Sequence, residues 1–110
     1  MPFINIATSV KVEDKNKILN EITILISSLT NKSKRFVMAK LEDDSNMYFE
    51  DQSPCCFVEI KSIGSLDPSK MSRPICDFIY NNMGITSEKI YIYFEDVGAN
   101  MWSWDGKTFG

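Results

Sequence analysis

The 110-residue chain contains no histidine. That absence excludes histidine triads, histidine proton shuttles and nearly every histidine-bearing metal site. Cysteine is sparse, with Cys55, Cys56 and Cys76 matching no zinc pattern and being odd in number. They read as reduced thiols acting as small buried hydrophobes. A basic excess is also missing, since 12 Lys+Arg stand against 15 Asp+Glu and the net charge is −3. A nucleic-acid partner is therefore not expected. No apolar run approaches the roughly 18 residues that span a bilayer, so no membrane partner is expected. The start, Met1-Pro2-Phe3-Ile4, lacks the basic and long apolar regions of a secretory signal, and a cytoplasmic protein is expected.

What is present is an internal repeat. Phe3-Ile4-Asn5-Ile6-Ala7 alternates as Phe57-Val58-Glu59-Ile60-Lys61 does. Each run precedes an amphipathic stretch and a second apolar run closing on two acids, Phe36 to Asp43 and Ile90 to Asp96. The pseudo-repeats cover about residues 2–43 and 56–96 of a single domain 1–110, with an extension over 97–110. Ile18, Leu19, Ile22, Leu25, Ile26 and Leu29 recur at helical spacing behind Glu13-Asp14, and Thr30-Asn31 ends the first helix. Met71, Ile75, Phe78, Ile79 and Met83 mark the second, which Gly84 stops. Pro74 either belongs to its first turn or kinks it near the start.

Two tandem β-α-β units with right-handed crossovers predict an α+β fold, a four-stranded sheet with both helices on one face. Yet the last run places Ile90 and Ile92 in alternation with Tyr91, Tyr93 and Phe94, apolar or aromatic on both sides. An uncovered apolar face needs a cover, and a copy of the same chain is the simplest one. A homo-oligomer is predicted.

Pro2 is the residue most suited to chemistry. Removal of Met1 leaves it with a free secondary amine, and an α-amino group ordinarily titrates near 7.7–8.0. Apolar surroundings lower that value, giving a neutral base near physiological pH without histidine.

These features sit in a wider pattern: Met1-Pro2, Asn31-Lys32, Pro54-Cys55, Lys61-Ser62-Ile63-Gly64, Ile90-Tyr91-Ile92, and Trp104 through Thr108-Phe109. On these residues the whole chain resembles the macrophage migration inhibitory factor family of the tautomerase superfamily. The resemblance implies a symmetric homotrimer with sites at subunit interfaces. It also implies a keto-enol tautomerase of the phenylpyruvate or dopachrome type, whose substrate is a small aromatic 2-keto acid and which uses no cofactor. Pro2 matches the acid/base, Lys32 the carboxylate anchor, and the Ile63 N–H a donor to substrate. Tyr91 matches a tyrosine given by the neighbouring subunit; Trp104 and Phe109 match the pocket mouth. Taken singly, these residues read as a surface lysine, a buried strand residue and core or interface aromatics.

Three departures stand out. Tyr93 occupies a position that is asparagine in well-known members, and Trp102 replaces a smaller aliphatic residue; both bear on substrate preference. Some members carry Cys-x-x-Cys with an assigned thiol-disulfide activity, whereas here Val58 takes the second position and no dithiol oxidoreductase activity is expected. The family also includes cytokine-like members that bind receptors and leave cells without a signal peptide. A signalling or binding role with a vestigial pocket is thus the alternative function.

Overall fold

Alternation in the first run produces the expected strand, β1 (Phe3–Thr8), with Ile4, Ile6 and Thr8 buried on one side. We describe residues 1–110 from a computed structural model. Helix α1 (Lys15–Thr30) follows, capped by the Asp14 side chain, which accepts from the Lys17 N–H at 3.1 Å. Asn31 ends it in the left-handed region at φ 56°, where a short polar side chain is tolerated. A 3-10 turn (Lys34–Phe36) leads to β2 (Met38–Glu42). The second half repeats the plan with β3 (Cys56–Ser62), α2 (Pro68–Met83) and β4 (Ile90–Asp96).

The strand order is β2-β1-β3-β4. Each outer strand runs parallel to the inner strand of its own repeat, and β1 and β3 meet antiparallel in the centre. The sheet is therefore mixed, as the two crossovers require. Ile4, Ile6, Val58 and Ile60 from the inner strands pack with Ile22 and Ile26 of α1 and with Met71, Ile75 and Ile79 of α2. No helix is long and apolar enough to cross a membrane.

The register corrects one expectation. Phe94 pairs with Ile60, and Ile92 with Val58, so Phe94 belongs to the helix-covered side with Ile90 and Ile92. It does not share a face with Tyr91 and Tyr93, because side chains alternate with a period of two. The other face carries Phe3, Met38, Phe57, Tyr91 and Tyr93 among Lys40, Glu59, Lys61 and Glu95. Met38 is 67% exposed there and Tyr91 61%, while the outer edges of β2 and β4 have no partner strand.

Two elements differ from the expected boundaries. The run from Phe36 enters its strand only at Met38, because Ser33 caps the 3-10 turn and accepts from the Arg35 N–H. Pro74 lies inside α2, whose first turn is instead occupied by Pro68. There Pro74 cannot donate to the Lys70 carbonyl four residues earlier. The extension beyond Asp96 forms a 3-10 turn (Ala99–Met101) and a hairpin of β5 (Ser103–Trp104) and β6 (Lys107–Thr108). Its tip, Asp105-Gly106, has φ of 52° and 78°, as a type I′ turn requires.

Candidate functional site

The Pro2 carbonyl accepts from the Met38 N–H at 3.0 Å, tying the first residue of β1 to the start of β2. In an extended residue the nitrogen and carbonyl project to the same side. The Pro2 nitrogen therefore faces the β2 side, where a cavity of about 410 Å³ opens. Phe3, Phe36, Met38, Trp102 and Trp104 form most of its wall, and Arg35 supplies the one charged side chain. Phe36 and Trp104 meet edge to face with centroids 5.8 Å apart, a favoured aromatic geometry. The Pro2 ring is fully buried at this end of the sheet.

With Met1 in place, its α-ammonium is held below the ordinary value of 8.0. Burial is the first cause and the nearby Lys32 charge the second. Both disfavour a proton on nitrogen, so the environment promotes a neutral amine. Lys32 leaves α1 just past its C-terminal cap and has no carboxylate partner.

Ile63 approaches the same end from β3. Phe3 pairs with Lys61 at the end of the antiparallel ladder, and Ile63 follows two residues past Lys61. The backbone groups on either side of Ile63, the Ser62 carbonyl as acceptor and the Gly64 N–H as donor, are engaged by the end of β4. Val97 N–H reaches the Ser62 carbonyl at 2.8 Å, and Gly64 N–H reaches Asp96 Oδ1 at 2.9 Å. Gly64 sits at φ +68°, which a side chain would strain.

Other expected site residues lie elsewhere. Tyr91 pairs with Phe57, which pairs with Ala7, so it sits two strands across and five residues along from Pro2. At about 4.8 Å between strands and 3.3 Å per residue, that is roughly 19 Å, beyond any tyrosine's reach. The Tyr91 ring stacks on Phe49 at 4.6 Å. Phe49 is in turn clamped by Lys89, whose Nζ donates to the Phe49 carbonyl and to Asp51 Oδ1, both at 2.9 Å. The Asp51 bond raises the Lys89 pKa, while bonds from Ser53 and then Lys89 hold the Asp51 carboxyl well below its usual range. Tyr93 lies on the same strand face as Tyr91 and donates to Glu95 Oε1 at 3.0 Å, which raises its pKa. Phe109 does not line the cavity; its N–H donates to the Trp102 carbonyl at 3.1 Å.

Within one chain, then, Pro2, Trp102 and Trp104 share a cavity, whereas Lys32, Ile63, Tyr91, Tyr93 and Phe109 do not line it, although the Lys32 charge acts on the Met1 amine. Sequence reasoning did not single out Arg35, and it read Phe36 only as the start of a strand. The Asp105-Gly106 dipeptide was the signal that could have found the hairpin carrying Trp104.

The thiols are free and buried, and burial pushes the Cys56 pKa up to about 12. No group of histidine, cysteine or carboxylate side chains is arranged to hold a metal ion.

A family model for macrophage migration inhibitory factor (MIF) matches residues 1–110. The MIF of Xenopus tropicalis is 27% identical over 114 aligned positions, covering 99% of each chain. Among solved structures, a MIF homologue from Prochlorococcus marinus superposes with a TM-score of 0.93 at 42% identity, covering 98% of this chain and 99% of that one. A Leishmania major MIF gives 0.85 at 28% identity, with 99% and 97% covered. The chain, which carries the tautomerase-superfamily fold, belongs to the macrophage migration inhibitory factor family.

Proposed function

We propose that this chain is a keto-enol tautomerase acting on small aromatic 2-keto acids, with Pro2 as the acid/base once Met1 is removed. The observation that carries the reading is the buried Pro2 at an aromatic-walled cavity of about 410 Å³, in a chain with no histidine. The volume lies within the range of small-molecule sites, and the walls suit an aryl ring.

The chemistry needs only proton movement. The neutral Pro2 amine takes a proton from the carbon between ring and carbonyl. The C–H electron pair becomes the new carbon–carbon double bond, and the carbonyl π pair moves to oxygen. The proton ends on that oxygen, and the reverse sequence returns it to carbon. The developing oxyanion and the neighbouring carboxylate need donors, roles that this reading gives to Lys32 and the Ile63 N–H. No cofactor takes part in this scheme.

The functional unit is a homotrimer. The exposed apolar members of the open sheet face and the unpaired edges of β2 and β4 call for a cover, and a neighbouring copy can bring Tyr91 to a cavity that its own chain cannot reach. Tyr93 and Phe109 complete the ring-binding surface in that assembly.

Phenylpyruvate tautomerisation tests the reading, with intact mass verifying the N-terminus. Met1-free protein turns over; protein retaining Met1, whose Pro2 nitrogen is an amide, loses about 100-fold or more, the usual contribution of a general base. Equal turnover by the two forms would remove Pro2 from the mechanism.

A further inference from the structure

One charged residue of the cavity has no part in the proton transfer just described. Arg35 belongs to the 3-10 turn Lys34–Phe36, which the Ser33 hydroxyl caps by accepting the Arg35 N–H at 3.3 Å. The turn lifts the residue out of the β2 ladder and sets its guanidinium 5.2 Å from the centre of the Phe36 ring. Phe36 in turn packs edge-on against Trp104. Cation, ring and ring therefore form one continuous wall, and stacking on Phe36 restricts where the guanidinium can go.

The guanidinium also lacks an anion. The chain's ion pairs use Lys15, Lys40, Lys70, Arg73 and Lys89, and none involves Arg35 or Lys32. Among the side chains of this wall only Arg35 is charged, and Ser103 adds a hydroxyl. Phe36 offers no hydroxyl to meet a polar ring substituent. Selectivity at this wall falls to a planar, permanently charged fork whose geometry matches a carboxylate.

A substrate with a single carboxylate uses one cation, the role that the tautomerase reading gives to Lys32. Arg35 is a second and separate cation. We infer that Arg35 forms an anion subsite, so that the preferred substrates are aromatic 2-keto acids bearing a second anionic group on the ring. This inference rests on the tautomerase reading for its chemistry but concerns a different residue. It adds no bond-making step: Arg35 holds the distal anion through paired N–H donors and so fixes the ring within the aromatic walls.

The test compares phenylpyruvate with its 4-carboxy derivative, using Met1-free wild type, Arg35→Gln and Arg35→Lys. Turnover is one readout. Quenching of tryptophan fluorescence is the other, and it needs no turnover, because both tryptophans of the chain line the cavity. Wild type is expected to favour the dianion by about tenfold in both kcat/KM and Kd, the scale of one charge-assisted pair. Arg35→Gln erases that preference by bringing the dianion's kcat/KM and Kd to the level of phenylpyruvate's, and Arg35→Lys, which keeps the charge without the fork, retains part of it. Raising salt shrinks the wild-type preference. Equal handling of the two ligands by wild type, or equal weakening of both by Arg35→Gln, overturns the subsite. A dianion preference in Kd that Arg35→Gln removes, with neither ligand turned over, upholds the subsite and removes the tautomerase reading instead.

Discussion

If Tyr91 serves the cavity of a neighbour, two inactive variants should restore each other. Pro2→Ala removes the proposed secondary amine, and Tyr91→Ala removes the aromatic ring, each expected to lower turnover of phenylpyruvate. The separation of roughly 19 Å within one chain, set by strand and residue spacing, means that no subunit can use its own Tyr91 at its own Pro2. In a cyclic trimer each site then takes Pro2 from one subunit and Tyr91 from the next. Co-expressing the two variants in equal amounts gives an intact site only when a Tyr91 variant is followed by a Pro2 variant. Every mixed trimer, with two copies of one variant and one of the other, contains a single such junction among its three, so about one third of wild-type sites should return in the mixed trimers. Sites built within a subunit would return none. The assay is tautomerisation by mixed trimers purified through two different tags, with each homotrimer as its own baseline. Because Tyr91→Ala also loses the Phe49 stack, its fold is checked first by circular dichroism. Mixed trimers no more active than the two parents, or a Tyr91→Ala homotrimer with full activity, would refute the interface site.

Further outcomes follow from the core, the amine and the thiols. Ile60 is fully buried between Ile4 and Phe94, so Ile60→Ala removes three carbons at about 0.8 kcal/mol each and leaves a partly collapsed void, about 2.5–4 kcal/mol in all. Ile24→Ala, at a site 51% exposed, should cost well under about 1 kcal/mol by chemical denaturation at matched protein concentration. Burial and the Lys32 charge hold the Met1 amine below 8.0; if the same surroundings act on the Pro2 amine once Met1 is gone, kcat/KM should rise with pH and level off below that value, since only the neutral amine is a base. Lys32→Met removes a charge that disfavours the ammonium and should move this acid limb upward; a limb that stays put or falls contradicts the assignment. With the Cys56 thiol pushed up to about 12, native protein should alkylate slowly at neutral pH, and Cys55→Ser should leave insulin reduction at background.

The β-α-β duplication was legible because each strand alternates and each helix keeps its apolar stripe, so local pattern and tertiary burial agree at Ile4, Ile22, Ile60 and Ile75. Pattern failed where a short segment answered to a cap. Phe36 looks like the start of a strand, but Ser33 coils Lys34–Phe36 into a turn, and that turn places Arg35 at the cavity. Phe94 was assigned to the wrong side because an aromatic was grouped with its aromatic neighbours, although parity alone puts it with Ile92. Tyr91 marks a different boundary. Its place on the strand is readable from the chain, but the cavity it would serve lies on another copy.

Using a chain terminus as the base places unusual demands on the fold. A free amine ordinarily frays and is solvated, which keeps it charged at neutral pH. Here the first strand lies inside the sheet, between β2 and β3, and the Met38 N–H anchors the Pro2 carbonyl. The terminal residue thereby inherits the rigidity of the sheet through its carbonyl, with no ladder bond made by its nitrogen. Proline suits the position twice over: its fixed φ lowers the entropy lost in holding the amine still, and its ring fills the buried space beside the cavity. Any other residue there would leave a primary amine on a freer backbone. The cost is that the site has only one nitrogen to work with, and everything that must recognise the substrate has to come from side chains around it. That is why a cation such as Arg35, fixed on an aromatic wall rather than on the base, is where substrate choice can be set without disturbing the proton transfer.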